Sequence, residues 1–246
     1  KQVGENLQDH YMAPMAWSVK PGVFSYNHEL DGISLVKNVL KYYLTKKGPM
    51  TIPAAQVGAF IKSDSALDRP DIQYHGLAVT GDLETASRGE PSQLTDYPGL
   101  TLGGAAVRPE SRGYARAASN DPYAPPDVVH NYLSAEEDKR LTLKAMHIAR
   151  DIAKMPALAP VIKTERLPGL DYENDDALLA FNPQLGTTMY HPVGTCRMGM
   201  DTDAVVDCDL KVNGVTGLRV VDASIMPRIT TGDPNATVIM IAEKAA

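Results

Sequence analysis

The run from Ser134 to Pro156 constrains the fold more than any other part of the chain. Ser134 with Glu137 three residues on forms a capping box, and Leu141, Ala145, Ile148 and Ile152 then recur on one helical face until Pro156. This spacing predicts a helix over about residues 135–155, with an apolar stripe that must lie against something. Short apolar stretches, Val57 to Ile61, Ile72 to Val79 and Leu100 to Val107, are divided by polar and Gly/Pro-containing segments and read as strands of one sheet. A second amphipathic helix is expected over Ile33 to Lys46, with Val36, Val39, Leu40, Tyr43 and Leu44 at spacings of three and four and Gly48-Pro49 as its stop. Asn174-Asp175-Asp176 opens a short helix through Phe181, and Asp121 to Pro126 is a rigid loop. Residues 1–30, interrupted by Gly4, Pro14, Pro21 and Gly22, read as an extended loop with at most one short strand. Leu218 to Asp222 reads as a short buried strand, and Asp233-Pro234 as the N-cap and first turn of a final helix. The fold class is α/β, with helices laid on a sheet.

Charge and composition narrow the function classes. With 24 Lys+Arg against 30 Asp+Glu the formal charge is −6, so no basic field is available to neutralise phosphates, and nucleic-acid binding is not expected. No apolar run approaches the roughly 20 residues that cross a bilayer, and Lys1 to Glu5 carries no apolar segment of an export signal. The two cysteines, Cys196 and Cys208, are too few for a disulfide scaffold and lack the paired spacing of a zinc site, so no metal is expected. These features fit a cytoplasmic location, with peripheral association with a membrane left open.

Chemistry is concentrated in two stretches: Tyr190 to Gly199, which holds His191, and Val221 to Pro227 running on to Gly232 to Met240, which holds Asn235. A lone histidine is more often structural than catalytic, and a lone Asn at a helix start is unremarkable. Together with Val3 to His10 and Arg108 to Gly113, however, the ensemble resembles the C-terminal half of the glucose-methanol-choline (GMC) oxidoreductases, FAD-dependent alcohol oxidases and dehydrogenases, in their choline-dehydrogenase-like branch. The family's Gly-x-Gly-x-x-Gly fingerprint for the FAD pyrophosphate is not found in these 246 residues. The resemblance therefore implies that the chain corresponds to the second half of such an enzyme. The implied partner is an N-terminal FAD-binding half, in the same or a separate chain. It further implies a loop bridging to the FAD domain at 1–30, a substrate-binding domain with an antiparallel sheet at 31–189, and the C-terminal part of the FAD domain at 190–246.

By that resemblance His191 is the base that takes the hydroxyl proton of an alcohol, and Asn235 holds the alcohol oxygen; an amide does not titrate, so the roles are unequal. Asp222, Ala223, Asp233, Pro234, Asn235 and Thr237 are the implied contacts to FAD. The last helix would aim its N-terminus at the anionic edge of the reduced flavin. Tyr190 is the candidate for the substrate cavity, with Trp17 a weaker one. The implied reaction converts a primary alcohol, choline-like, aryl or aliphatic, to an aldehyde. An inactive substrate-binding fragment, a lyase and a photodecarboxylase on the same fold are the alternatives. The chain alone is expected to be inactive and to bind FAD weakly. Cys196 reads as a buried free thiol, and His75, His130 and His147 fit no motif.

Overall fold

The computed structural model describes residues 2–53, 55–82 and 93–246. Strands β1 (Tyr11–Val19), β2 (Val57–Ile61), β3 (Ile72–Leu77), β4 (Gly99–Ala106), β5 (Tyr114–Arg116), β6 (Asp127–Val129) and β7 (Ile162–Leu167) are joined by helices α1 (Tyr26–Glu29), α2 (Gly32–Thr45), α3 (Glu136–Lys154), α4 (Asp175–Leu185) and α5 (Asn235–Ala245). The chain divides into two compact units, each assembled from separated stretches. One comprises Lys1–Tyr11, Ala106–Arg140 and Thr188–Ala246, the other Met12–Ala105 and Leu141–Thr187. In the first unit residues 106–140 lie with both ends of the chain.

The sheet of the second unit runs in the order β2-β3-β4-β1-β7. Strand β1 lies between β4 and β7 and is antiparallel to both, with Trp17 opposite Leu100 on one side and Glu165 on the other. Where the sequence allowed one short strand in an extended loop over residues 1–30, β1 is a nine-residue central strand. Met15, Ala16, Trp17, Ser18 and Val19 are all buried, so both faces of the strand are covered and the apolar/polar alternation that marks a half-exposed strand is missing. Pro14 sits opposite Gly103 of β4, and the pairing of β1 with β7 begins beyond it, at Ala16. Strands β2, β3 and β4 fall where the apolar stretches predict them.

Helix α3 buries Leu141, Ala145, Met146, Ala149 and Ala153. The Tyr74 hydroxyl donates to the Ala145 carbonyl. Gly104 on β4 permits the close approach: a Cβ there would come within 2.8 Å of the Ala145 methyl. The guanidinium of Arg150 on α3 reaches β7 with a two-pronged contact to Glu165 at 2.8 and 3.1 Å, and donates to the Tyr172 carbonyl at 2.8 Å. Helix α4 is capped by the Asn174 side chain, which accepts from the Ala177 N–H at 2.9 Å, and it extends past Phe181 to Leu185.

The first unit is held more by polar contacts than by sheet. Its strands β5 and β6 form a short antiparallel pair. Two apolar clusters, Val193 with Met226 and Ile229, and Val205 with Val206 and Ile225, form its core. The Leu218 to Asp222 stretch is not a buried strand. Gly214 and Gly217, both at positive φ, fold it back on residues 210–212, where it makes only an isolated bridge between Lys211 and Arg219, and Leu218 and Val221 are exposed. The buried carboxylate of Asp138, in the first turn of α3, accepts the Glu110 and Ser111 N–H groups at 2.8 Å each, and the Ser111 hydroxyl accepts the Ala135 N–H at 3.1 Å. The Arg108 to Gly113 motif is thereby fixed to the start of the helix.

Candidate functional site

Asn6 to His10 organises the first unit, every residue of the run bonding a segment far away in sequence. The Leu7 backbone exchanges hydrogen bonds with Gly113, and the Gln8 backbone with Val193. The buried Gln8 side chain donates to the Pro227 carbonyl at 3.1 Å and accepts the Ile229 N–H at 3.2 Å. Asn6 donates to the Gly194 carbonyl at 3.2 Å and accepts from Arg112 at 3.1 Å. Gly194 sits at φ +96°, where a Cβ would lie 2.5 Å from the Asn6 carbonyl oxygen, so this crossing requires glycine. Residues 194–198 run beside residues 223–225, with Gly194, Cys196 and Met198 N–H groups donating to the carbonyls of Ala223, Ser224 and Ile225. The two chemistry-rich stretches picked out in the sequence are thus joined directly.

His191 stands at the centre of this framework. Its backbone N–H donates to Asp9 Oδ1 at 2.9 Å, its Nδ1 lies 2.9 Å from His10 Nδ1, and its Nε2 is 3.5 Å from Asp233 Oδ1. The His10 ring is fully buried and its Nε2 is 3.1 Å from the Val107 carbonyl. A carbonyl offers only lone pairs, so the His10 proton resides on Nε2. Burial holds the His10 pKa below the ordinary histidine value, so the ring is neutral and its Nδ1 is an acceptor. The proton between the two rings then belongs to His191 Nδ1. In that tautomer His191 Nε2 carries the ring's other lone pair and lies beside the Asp233 carboxylate.

Asp9 anchors the same loop. Its Oδ2 accepts from the hydroxyls of Tyr132 and Thr188 at 2.5 Å each, while Oδ1 takes the His191 N–H. Thr188 in turn accepts the Tyr190 N–H at 2.7 Å and so fixes Tyr190 in the left-handed region, at φ 62°. Tyr132 is backed by the rings of Tyr11 and His130. Burial, and then the bond to Asp9, push its hydroxyl pKa well above the ordinary tyrosine value, so it remains a donor. The sequence marked the Asp9-His10 phrase without roles and did not mark Tyr132 or Thr188 at all. Their signal is convergence on one buried carboxylate, which no local pattern reveals.

Other expected site residues are placed as follows. Asp222 caps a single 3-10 turn, its Oδ1 accepting the Ser224 N–H at 2.8 Å, and Ala223 lies at the head of that turn against the Val193 cluster. Asp233 does not cap the last helix. Pro234 occupies the N-cap position with helical backbone angles, and the Asp233 side chain faces His191 instead. Asn235 opens α5 and is exposed, two residues beyond this contact, and Thr237 is half-buried in the first turn. The Tyr190 side chain is 82% exposed, whereas Trp17 is packed within the sheet of the second unit, which removes it from any cavity-lining role. Cys196 is a half-buried free thiol and Cys208 an exposed one. Among the described residues no group of His, Cys, Asp or Glu is arranged to hold a metal.

The buried neutral His10 has a measurable consequence. Unfolding returns it to the ordinary value near 6.5, so below that pH the unfolded state binds more protons, and stability falls as pH drops through this window. Denaturant midpoints measured between pH 7.5 and 5 are expected to decline with acidification, and His10→Gln should flatten the decline. An unchanged slope in that variant would assign the effect to other groups.

A family model described as GMC oxidoreductase matches residues 109–242. Oxygen-dependent choline dehydrogenases of Yersinia pseudotuberculosis and Klebsiella pneumoniae are 41% and 38% identical to this chain over 244 residues, 99% of its length. The chain spans only 42–43% of the length of these relatives. Among solved structures, a pyridoxine 4-oxidase superposes with a TM-score of 0.80 at 26% identity, covering all of this chain and 43% of the other. A formate oxidase of Aspergillus oryzae, studied for its FAD modification, superposes at 0.87 with 25% identity, covering all of this chain and 46% of the other. On the match to residues 109–242, the chain belongs to the GMC oxidoreductase family and corresponds to its C-terminal region.

Proposed function

We propose that this chain carries the proton-accepting half of an FAD-dependent enzyme that oxidises a primary alcohol to an aldehyde. The observation that carries the reading is the tautomer lock: His10 commits the Nδ1 proton of His191 and leaves Nε2 as the base. In this reading Nε2 takes the hydroxyl proton. Asp233, 3.5 Å from that atom, offsets the positive charge the ring acquires. Asn235, at the start of α5, holds the alcohol oxygen, and Tyr190 borders the substrate.

The residues present fit FAD. Pro234 provides no side-chain cap to α5, so the first-turn N–H groups around Asn235 and Thr237 suit the electron-rich carbonyl edge of an isoalloxazine ring. Asp222, Ala223, Asp233 and Pro234 complete the set that would hold the cofactor. FAD, when bound, would supply the hydride acceptor. The remaining cofactor contacts, including a Gly-rich pyrophosphate turn, would come from an N-terminal half, and the chain by itself would bind FAD weakly and be inactive. The names of the curated relatives favour choline among the candidate substrates, with aryl and aliphatic alcohols as the other candidates.

The test is anaerobic mixing of the FAD-loaded enzyme with choline, benzyl alcohol or a short aliphatic alcohol while flavin absorbance is followed. Bleaching by at least one alcohol is expected. Bleaching by none, with turnover of a cyanohydrin or of a fatty acid under light, would replace the reading with a lyase or photodecarboxylase.

A further inference from the structure

Helix α2 is held to its unit by its polar side. Its only buried residue is Asn38, whose amide donates to the Glu29 carbonyl at 2.8 Å and to the Glu29 carboxylate at 2.9 Å. Most of its apolar side chains point outward, Val39 alone of the expected stripe being half-buried. Ile33 is 76% exposed, Val36 59%, Leu40 56%, Tyr43 70% and Leu44 82%. At about 100° per residue these five positions fall within a single arc of about 100°, and Lys37 and Lys41 lie along one border of it. The apolar surface continues past the helix through the exposed Met50 and Ile52. A turn of chain that presents hydrocarbon outward and secures itself through an asparagine is the reverse of an ordinary surface helix.

Charge identifies the occupant. Between Gly32 and Ile52 there are four lysines, Lys37, Lys41, Lys46 and Lys47, all exposed, and no Asp or Glu, in a chain whose net charge is −6. The Lys46 ammonium lies 4.8 Å from the Tyr42 ring centre and 5.4 Å from that of Tyr43, so the cationic end of the helix is also its aromatic end. A second copy of this face would bring like charges together, which disfavours self-association through it. At 14 residues the helix is about 21 Å long, too short to span a bilayer but suited to lie in its surface. We propose that α2 is an interfacial helix that seats the protein on an anionic lipid bilayer. The apolar arc would sink into the acyl boundary, and the bordering lysines would extend to the headgroups. This inference stands independently of the catalytic reading.

The test is flotation of the intact FAD-loaded enzyme with vesicles of phosphatidylcholine alone or of phosphatidylcholine and phosphatidylglycerol at 7:3. Binding is expected with the anionic vesicles, weakly or not at all with the neutral ones, and to be reversed by 0.5 M NaCl. Replacing Lys37 and Lys41 by Gln should weaken it about fivefold per lysine, and Leu40→Gln with Leu44→Gln should abolish it. Both pairs should leave the melting temperature and flavin content of these exposed-face variants unchanged. Three results would each overturn the proposal. One is the absence of any preference for anionic vesicles. Another is wild-type binding by both variants. The third is a marked loss of melting temperature or of a dimer in the Leu40/Leu44 variant, which would show the face to be covered by protein.

Discussion

Replacing His191 by Ala is expected to slow flavin reduction by alcohol at least about 10²-fold while leaving FAD bound, the scale of a lost general base. The loss should appear in the reduction step rather than in substrate affinity, as the proposed role of Nε2 requires. In the parent enzyme the rate should fall on acidification as the ring takes up a proton, and the variant should lose that limb of the profile. His191→Gln should behave like Ala, because an amide can occupy the Nδ1–His10 contact but cannot accept a proton at neutral pH. Reduction within a few-fold of the parent in either variant would remove His191 from the role of base.

The second large effect is expected at Asp9, and it is one of stability. Asp9→Ala leaves three buried or half-buried donors, the Tyr132 and Thr188 hydroxyls and the His191 N–H, without their acceptor. At about 1–3 kcal/mol for each orphaned donor, offset in part by relaxation, the loss should be on the order of 3–5 kcal/mol. For a chain of this length that is roughly a 10 °C drop in melting temperature. Asp9→Asn keeps an acceptor for the His191 N–H and offers its NH2 to the lone pairs of the two hydroxyls, so it should recover much of the stability. A melting temperature for Asp9→Ala within about 2 °C of the parent would show that the clamp contributes little.

What the sequence made legible were features whose cause is local. The periodicity of α3, the Asn174 start of α4 and the runs forming β2, β3 and β4 needed no tertiary knowledge. The failures share a different cause. Strand β1 was hidden because both its faces are buried and a proline interrupts it. Helix α2 falls in the expected residues, but its outward-facing apolar side was not legible, since hydrophobic period says where a stripe lies and not whether the protein itself covers it. Asp233 was read as a cap, the commonest use of Asp before a helix, and only a histidine 42 positions earlier in the chain explains why its side chain turns away. Likewise Asp9, Tyr132 and Thr188 are ordinary residues until folding brings them to one point.

That convergence also bears on how the chain folds. The contacts defining the site, Asp9 to Thr188 and His10 to His191, close loops of 179 and 181 residues. Closing a loop of this size costs about 4–5 kcal/mol of chain entropy before any contact forms. Helices such as α3, whose contacts are local, face no such cost and can form early. The cluster of Asp9, His10 and His191 is therefore assembled late, where residues 1–11 meet residues 188–246. A chain that has acquired this cluster has already completed its longest-range organisation, so the geometry around His191 reports on the folding of the whole first unit.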